Sequence, residues 1–186
     1  RWSGVSQTIR DNWENVDNTD LTPNKKYTHH KYSGHIGNYY GPEMLNGGWL
    51  DEKFGTKEQW EDEIAYSYLG PKDDWKLILS HHFAYHLEDI KNTFPDSKIV
   101  MCYRPDVECY DWWHEAGGWD ISYPNYRWYK DNTKMWEEIC TQNRAIIEFV
   151  YKHNLNLHKP GREWFRNTWG VDRDFIFEKD VWIAEC

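Results

Sequence analysis

The segment Trp75–Asp106, WKLILSHHFAYHLEDIKNTFPDSKIVMCYRPD, contains two short apolar runs that each end abruptly in polar side chains. The first run, Leu77–Leu79, is followed by a serine and His81, and the second, Ile99–Tyr103, is followed by Arg104. Short continuous apolar runs are typical of strands that are covered on both faces in a parallel sheet. Each run therefore predicts a buried strand.

The residues between the two runs have a helical pattern. Apolar side chains recur there at helical spacing, at Phe83, Leu87, Ile90 and Phe94, before a Pro-Asp break. The segment thus predicts a strand near 76–80, a helix, and a strand near 98–103. Two strands joined by one helix are parallel, and their carboxyl ends meet at the edge of the sheet where open α/β folds bind ligands. We therefore expect His81 and Arg104 at that edge.

The fold class follows from this unit and from the rest of the pattern. We predict an α/β domain of three layers, in which a central, mostly parallel sheet is flanked by helices. Further helices are expected after a Thr56 cap, from about Pro105 to Glu115, and around Lys134–His153, while VWIAE near the end predicts an edge strand. The 186 residues contain no repeat or linker, so a single domain spanning 1–186 is expected.

Composition excludes several classes of partner. The chain has 31 acidic and 22 basic side chains, a formal charge of −9, which disfavours binding to nucleic-acid phosphates. Its apolar runs are far shorter than the roughly 20 residues that span a bilayer, and no leader pattern is seen. The four cysteines show no CxxC spacing. We expect a soluble, cytoplasmic protein with reduced thiols that binds neither nucleic acid nor membrane.

The chain is rich in large aromatic residues, with 13 Trp and 13 Tyr. Aromatic side chains bury large areas, so the first interpretation is an aromatic core. The alternative is a surface on which a base or a sugar stacks. Such a surface would be expected at residues 112–128, WWHEAGGWDISYPNYRW, because they form a predicted loop that is too rich in aromatics for a simple connection.

Three groups of residues suit an anionic ligand and an acceptor. A helix is predicted to start after Ser3, and its unpaired N–H groups, together with the Ser6 hydroxyl, suit a phosphate. Arg104 offers a planar fork for a second phosphate. His81 can accept the proton of an alcohol, because imidazole ionises near neutral pH.

Simpler structural interpretations stay open for the same residues. Arg104 could form an ion pair with Asp106 or Glu108, and His81 could be a hydrogen-bonded polar group at a strand end. The sequence Ser3-Gly4 is also explained by helix capping alone.

The run LILSHHFAYHLEDIKNTFPDSKIVMCYRPDVECYDWW resembles the central region of sulfotransferases of the P-loop fold. In that family a strand ends in a Lys-Thr-His triplet, a helix follows, and the next strand ends in an arginine. The triplet here is Leu79-Ser80-His81. The resemblance implies that His81 is the base for the acceptor. It also implies that Arg104 binds the 3′-phosphate of the donor, 3′-phosphoadenosine 5′-phosphosulfate.

The opening RWSGVSQTI is similar to the tail of the family's phosphate loop. This similarity assigns Arg1, Ser3, Gly4, Val5 and Ser6 to donor binding. The strand that precedes that loop in the family is not in this sequence, so the domain is expected to be truncated at its N-terminus. The implied acceptor is a small molecule or a carbohydrate that carries a hydroxyl or an amine.

The sequence also departs from the family pattern. Trp2 and Leu79 stand where family members have lysines, and the position of a donor-binding serine falls near Tyr110 or Asp111. Missing cations weaken charge stabilisation in this type of transfer. A catalytically inactive binding or interaction module on the nucleotide fold is therefore the alternative. A P-loop kinase is less favoured, because the pattern GxxxxGK[ST] does not occur.

A metal site is the remaining hypothesis for the histidines. His82 and His86 are four residues apart, and His29, His30 and His35 cluster earlier in the chain. No paired-cysteine or HExxH pattern accompanies them. We therefore expect no metal.

Overall fold

The structure is a computed structural model, and it describes Val5, Ile9, residues 38–39, 50, 53–68, 70–71, 73–115, 131–170, 172 and 181–186. The helices in these ranges are α1 (Lys57–Ser67), α2 (Leu87–Thr93), α3 (Asp106–Glu115), α4 (Asn132–Lys152) and α5 (Arg162–Trp169). The strands are β1 (Asn38–Tyr39), β2 (Ile78–Leu79), β3 (Val100–Tyr103) and β4 (Trp182–Glu185). A 3₁₀ helix, His82–Tyr85, precedes α2.

Three predicted helices are confirmed. The helix predicted after Thr56 is α1, the one predicted from about Pro105 to Glu115 is α3, and the one predicted around Lys134–His153 is α4. At the start of α1, the Thr56 hydroxyl accepts the Gln59 N–H at 3.3 Å, and Gln59 Oε1 accepts the Thr56 N–H at 2.8 Å. This reciprocal capping box satisfies two backbone donors, which explains why the helix begins there. Val5 and Ile9 also have helical backbone, in agreement with the predicted first helix.

The single helix predicted between the two apolar runs is divided at His86. The 3₁₀ helix ends there, with the His86 N–H donating to the Phe83 carbonyl at 3.0 Å, and α2 starts at the next residue. The first half of this segment consists mainly of histidine and aromatic residues, which have weak helix propensity. Their rings pack instead, with His82 5.4 Å from Tyr85 between ring centres.

The strands form two small sheets. β1 pairs with β2 in parallel, and β3 pairs with β4 in antiparallel orientation. The predicted strands near 76–80 and 98–103 and the strand in VWIAE are confirmed, and the mixed α/β class with them. Within the described ranges, however, β2 and β3 belong to different sheets rather than to one parallel sheet. The sequence shows where strands form, but it does not show which distant segment pairs with each.

Helices cover both faces of the β3–β4 sheet. Cys102 and Ile183 are register partners and belong to a core cluster with Val5, Ile9 and α5. Met101 and Ala184 are the neighbouring partners, and they belong to a cluster with α2 and α4. Because successive strand residues point to opposite faces, this sheet lies between two helical layers.

The aromatic core is confirmed where the structure describes it. Trp60, Trp113, Trp164 and Trp169 are buried. Residues 116–130, which contain most of the predicted stacking loop, lie outside the described residues.

All four cysteines are free thiols, and Cys102 and Cys109 are buried in core clusters, as their apolar surroundings predict. Among the described helices, none combines the length and the apolar character needed to cross a membrane.

Candidate functional site

His81 lies where the chain leaves β2 and turns into the 3₁₀ helix. Its backbone is helical, with φ −68° and ψ −34°, and its carbonyl accepts the Ala84 N–H at 3.2 Å. Ser80 Oγ accepts the His82 N–H at 3.0 Å and stabilises the same turn. The strand predicted near 76–80 therefore ends at Leu79, because Ser80 and His81 start a helical turn there.

The ring of His81 packs edge-to-face against Trp113, with 6.4 Å between ring centres and 85° between planes. Trp113 is buried on α3 beside Cys109 and Met135. Since α3 begins two residues after Arg104, the residue that follows β2 lies against the helix that follows β3. The buried indole restricts the orientation of the imidazole.

Arg104 follows β3 and is buried, with 8% of its surface exposed. Its carbonyl accepts a hydrogen bond from Asn143 Nδ2 at 2.7 Å and one from Cys109 Sγ at 3.5 Å. Asn143 Nδ2 also donates to Asp106 Oδ1 at 2.5 Å. The buried amide of Asn143 therefore fixes the turn from β3 into α3 that positions Arg104.

Asp106 also affects a neighbouring thiol. Burial raises the pKa of Cys140 above its ordinary value, and the hydrogen bond to Asp106 raises this pKa further. A thiol whose pKa is raised stays protonated and weakly nucleophilic. Burial and the contact with Asp106 thus favour the protonated form of the Cys140 thiol.

A cavity of about 360 Å³ adjoins His81. It is lined by β2, β3 and the segment that joins them, with contributions from α1 and α4, and we call it the β2–β3 cavity. Most of the lining is apolar, including Trp60, Leu79, Phe83, Ile90, Met101 and Ile146. Its volume lies in the range typical of small-molecule sites.

The β2–β3 cavity is partly open to solvent, so it is a pocket rather than a sealed void. It is far larger than the voids of a packed interior, few of which exceed a water molecule. A partly open, mostly apolar pocket of this volume can hold a small molecule.

The polar residues of the lining are Lys76, Ser80, His81, Ser97, Lys98 and Gln142. Lys76 Nζ donates to two carbonyls of the preceding turn, at 2.6 and 2.7 Å. Lys98 Nζ donates to the Thr168 carbonyl at 3.2 Å and lies 5.0 Å from the centre of the Trp169 ring. Both ammonium groups are thus held by other parts of the chain.

Gln142 is the buried amide of the lining, with 4% of its surface exposed. Its Nε2 donates to Glu138 Oε1 at 2.9 Å, and the Tyr85 hydroxyl donates to the same oxygen at 2.6 Å. This chain of bonds fixes which way the amide faces. Sequence analysis missed both Gln142 and Asn143, although two polar residues inside the apolar stripe of α4 were a usable signal.

The donor-binding residues predicted at the start of the chain are mostly outside the described residues, namely Arg1, Ser3, Gly4 and Ser6. Val5 is described, and it is buried in the same core cluster as Cys102 of β3. Cys102 is two residues before Arg104. Val5 and Ile9 therefore pack beside the strand that leads to Arg104.

The departures from the sulfotransferase pattern have structural counterparts. Leu79 is buried in β2 and lines the cavity, so no cation replaces the family lysine at this position. Tyr110 packs against His114 and Trp136, at 4.6 and 5.7 Å between ring centres. Asp111 is exposed on α3.

The histidines that suggested a metal site are only partly described. The ring centres of His82 and His86 are 5.3 Å apart, and His86 Nδ1 lies 3.1 Å from Asp89 Oδ2. Among the residues with described positions, no group of three or more side chains is arranged to hold a metal ion. His29, His30 and His35 lie outside those residues.

Comparisons of this chain with models of protein families, with curated proteins and with solved structures find no match.

Proposed function

We propose that this protein transfers a sulfuryl group from 3′-phosphoadenosine 5′-phosphosulfate to a hydroxyl or amine acceptor. The observation that carries the proposal is the position of His81. This histidine lines a ligand-sized apolar cavity and packs against the helix that follows Arg104. A potential base is thus beside a space for an acceptor, near the chain segment proposed to bind the donor.

The donor is proposed to bind between Arg104 and the start of the first helix, at Arg1, Ser3, Gly4, Val5 and Ser6. The shared core cluster of Val5 and Cys102 supports this arrangement, because it packs that helix beside β3. Backbone N–H groups at a helix start and a guanidinium fork are both suited to phosphates.

The proposed chemistry uses few groups of the protein. When bound, the donor supplies the sulfuryl group: the acceptor oxygen forms a bond to sulfur, the bond from sulfur to the 5′-phosphate oxygen breaks, and its electron pair leaves with adenosine 3′,5′-bisphosphate. His81, as the neutral imidazole, takes the acceptor proton. Trp113 holds the His81 ring, and Arg104 offsets charge on the donor.

We also propose that the β1–β2 and β3–β4 pairs, which are separate sheets within the described ranges, are parts of one central, mostly parallel sheet of a P-loop-type domain. The parallel pairing of β1 with β2 supports it, as do the helices on both faces of β3–β4. A crystal structure of the full chain in which the two pairs remain separate sheets would contradict this description.

Transfer of radiolabelled sulfuryl to a panel of phenols, sugars and amines tests the role of His81. The His81→Ala variant is expected to lose about 10²- to 10⁴-fold in rate, the usual contribution of a general base, while donor affinity stays unchanged. His82→Ala is the matched control, because His82 packs against Tyr85 and His86. Equal losses in both variants would remove His81 from the mechanism.

Calorimetry with adenosine 3′,5′-bisphosphate tests the role of Arg104. Arg104→Ala is expected to weaken binding by about 1.5–3 kcal/mol, the contribution of a charged hydrogen bond. Because Arg104 is buried, Arg104→Lys serves as a second variant that keeps the charge but loses the fork. Exposed Arg144 of α4 supplies the control, Arg144→Ala. Unchanged affinity in folded Arg104 variants would make this arginine structural.

A non-catalytic binding module is the second candidate function. Buried, apolar Leu79 favours it, because the family lysine at this position stabilises charge during transfer. A protein that binds adenosine 3′,5′-bisphosphate but transfers sulfuryl to no acceptor in the panel would establish this alternative.

A further inference from the structure

We propose that the β2–β3 cavity binds an apolar, ring-containing small molecule with one polar group, and that Gln142 determines specificity by hydrogen-bonding that group. The proposal names the acceptor class for the transfer proposed above, an apolar alcohol or phenol in place of a carbohydrate. The identification of this ligand as the acceptor rests on the proposed function, whereas the binding of the ligand in the cavity is independent of it.

The lining argues against a carbohydrate. Each hydroxyl of a buried sugar needs a hydrogen-bond partner, since a polar group buried without one is costly. Lys76 and Lys98 direct their ammonium groups to backbone carbonyls, and Ser97 Oγ donates to the Phe94 carbonyl at 2.7 Å. The cavity therefore offers a sugar few bonds for its many hydroxyls.

The same lining suits an apolar ring. Trp60 and Phe83 pack edge-to-face at the cavity wall, with 5.5 Å between their ring centres, and Phe94 lies in the same wall. Aromatic walls give a ring large contact areas and favourable offset or edge geometries. A ligand of one or two rings would displace water that this apolar lining binds weakly.

Gln142 supplies the polar contact. A glutamine amide has four hydrogen-bonding positions, two N–H donors and two lone pairs on the oxygen, and Glu138 occupies one of them. The bonds from Tyr85 to Glu138 and from Gln142 to Glu138 hold the amide in one orientation. Tyr85 is thus a positioning residue, which acts on the ligand only through Glu138 and Gln142.

Equilibrium dialysis without donor tests the cavity with three probes: 2-naphthol, 2-methylnaphthalene and glucose. The wild-type protein is expected to bind both naphthalenes and not glucose. Ala84 lines the cavity, so Ala84→Phe should fill it and remove binding of both naphthalenes. Val107→Phe is the control, because Val107 is 58% exposed on α3. Binding that survives in folded Ala84→Phe, or that is lost in Val107→Phe, would overturn the site.

The pair of naphthalenes isolates the role of Gln142, because they differ by a hydroxyl in place of a methyl group. Gln142→Leu should weaken 2-naphthol by about three- to tenfold, as expected for one neutral hydrogen bond, and leave 2-methylnaphthalene unchanged. Tyr85→Phe, at an exposed position, should reduce the preference for 2-naphthol by a smaller factor. Equal effects on both probes would show that Gln142 and Tyr85 are merely structural.

A separate assay of sulfuryl transfer distinguishes this inference from the proposed function. If 2-naphthol binds in the cavity but receives no sulfuryl group, the inferred ligand class is supported and the proposed sulfuryl transfer is contradicted. If glucose is sulfated while 2-naphthol does not bind, the proposed transfer is supported and the inferred ligand class is contradicted.

Discussion

At the scale of single residues, buried amides organise the site. Asn143 is 3% exposed, and its amide nitrogen bonds to the carbonyl of Arg104 and to the carboxylate of Asp106. Buried oxygens that lose a donor are costly, because water does not replace it. Asn143 therefore stabilises the β3–α3 turn, and through this turn the place of Arg104.

Asn143→Leu should lower the free energy of unfolding by about 1–3 kcal/mol, the cost of leaving buried acceptors without this donor. Urea denaturation followed by tryptophan fluorescence measures the change. Asn92→Leu, at an exposed position of α2, is the control for the intrinsic effect of the substitution. If both variants have the same stability, the amide of Asn143 has no structural role.

At the scale of secondary-structure elements, α2 is tied to the end of α4. Glu88 Oε1 of α2 accepts hydrogen bonds from Lys152 Nζ at 2.7 Å and from His153 Nε2 at 2.8 Å. The bond from Lys152, and then that from His153, hold the pKa of the Glu88 carboxyl below its ordinary value of 4.5. Ionised Glu88 therefore favours the folded state.

This pKa predicts a pH dependence with a definite sign. Because the folded pKa is the lower one, the contribution of Glu88 to stability is present above pH 4.5 and is lost as the pH falls through the folded pKa. The Tm of Glu88→Gln should thus lie below that of wild type near pH 6, and the gap should close at lower pH. Glu148→Gln, at an exposed position of α4, is the control. A gap that is independent of pH would contradict the prediction.

At the scale of the whole molecule, β4 connects the last residues of this sequence to the centre of the described structure. Its pairing with β3 continues beyond the strands, since Ile99 and Cys186 exchange backbone hydrogen bonds at 2.9 and 3.2 Å. Ile183 and Ala184 are fully buried, in the two clusters on opposite faces of the sheet. One short strand therefore joins both helical layers.

Ile183→Ala should lower the free energy of unfolding by about 2–5 kcal/mol, the range for truncation of a fully buried isoleucine. Because β4 contacts both layers, circular dichroism and tryptophan fluorescence should report one shared unfolding transition. Its midpoint should lie at a lower urea concentration than that of the wild-type protein. Val107→Ala, at an exposed position of α3, should change stability far less. A local loss, in which the two probes report separate transitions, would show that the layers unfold independently.

Local structure could be predicted from short stretches of the sequence. The Thr56 capping box starts α1, the apolar stripe predicts α4, and the apolar runs predict β2 and β3, because caps and periodicity act between residues close in the chain. The resemblance drew attention to His81 and Arg104 by the same local pattern. Where local signals were weak, as in the histidine-rich turn before His86, the prediction of one continuous helix was wrong.

Only the tertiary structure decided the pairing of the strands and the environment of the site. β3 pairs with β4 about 80 residues away, and β2 pairs with β1 from a segment that had no predicted structure. The roles of Gln142 and Asn143 and the existence of the cavity became visible in the same way. Strand pairing, burial and cavity shape depend on which distant segments meet, and this is decided by the packing of the whole chain rather than by any short stretch of it.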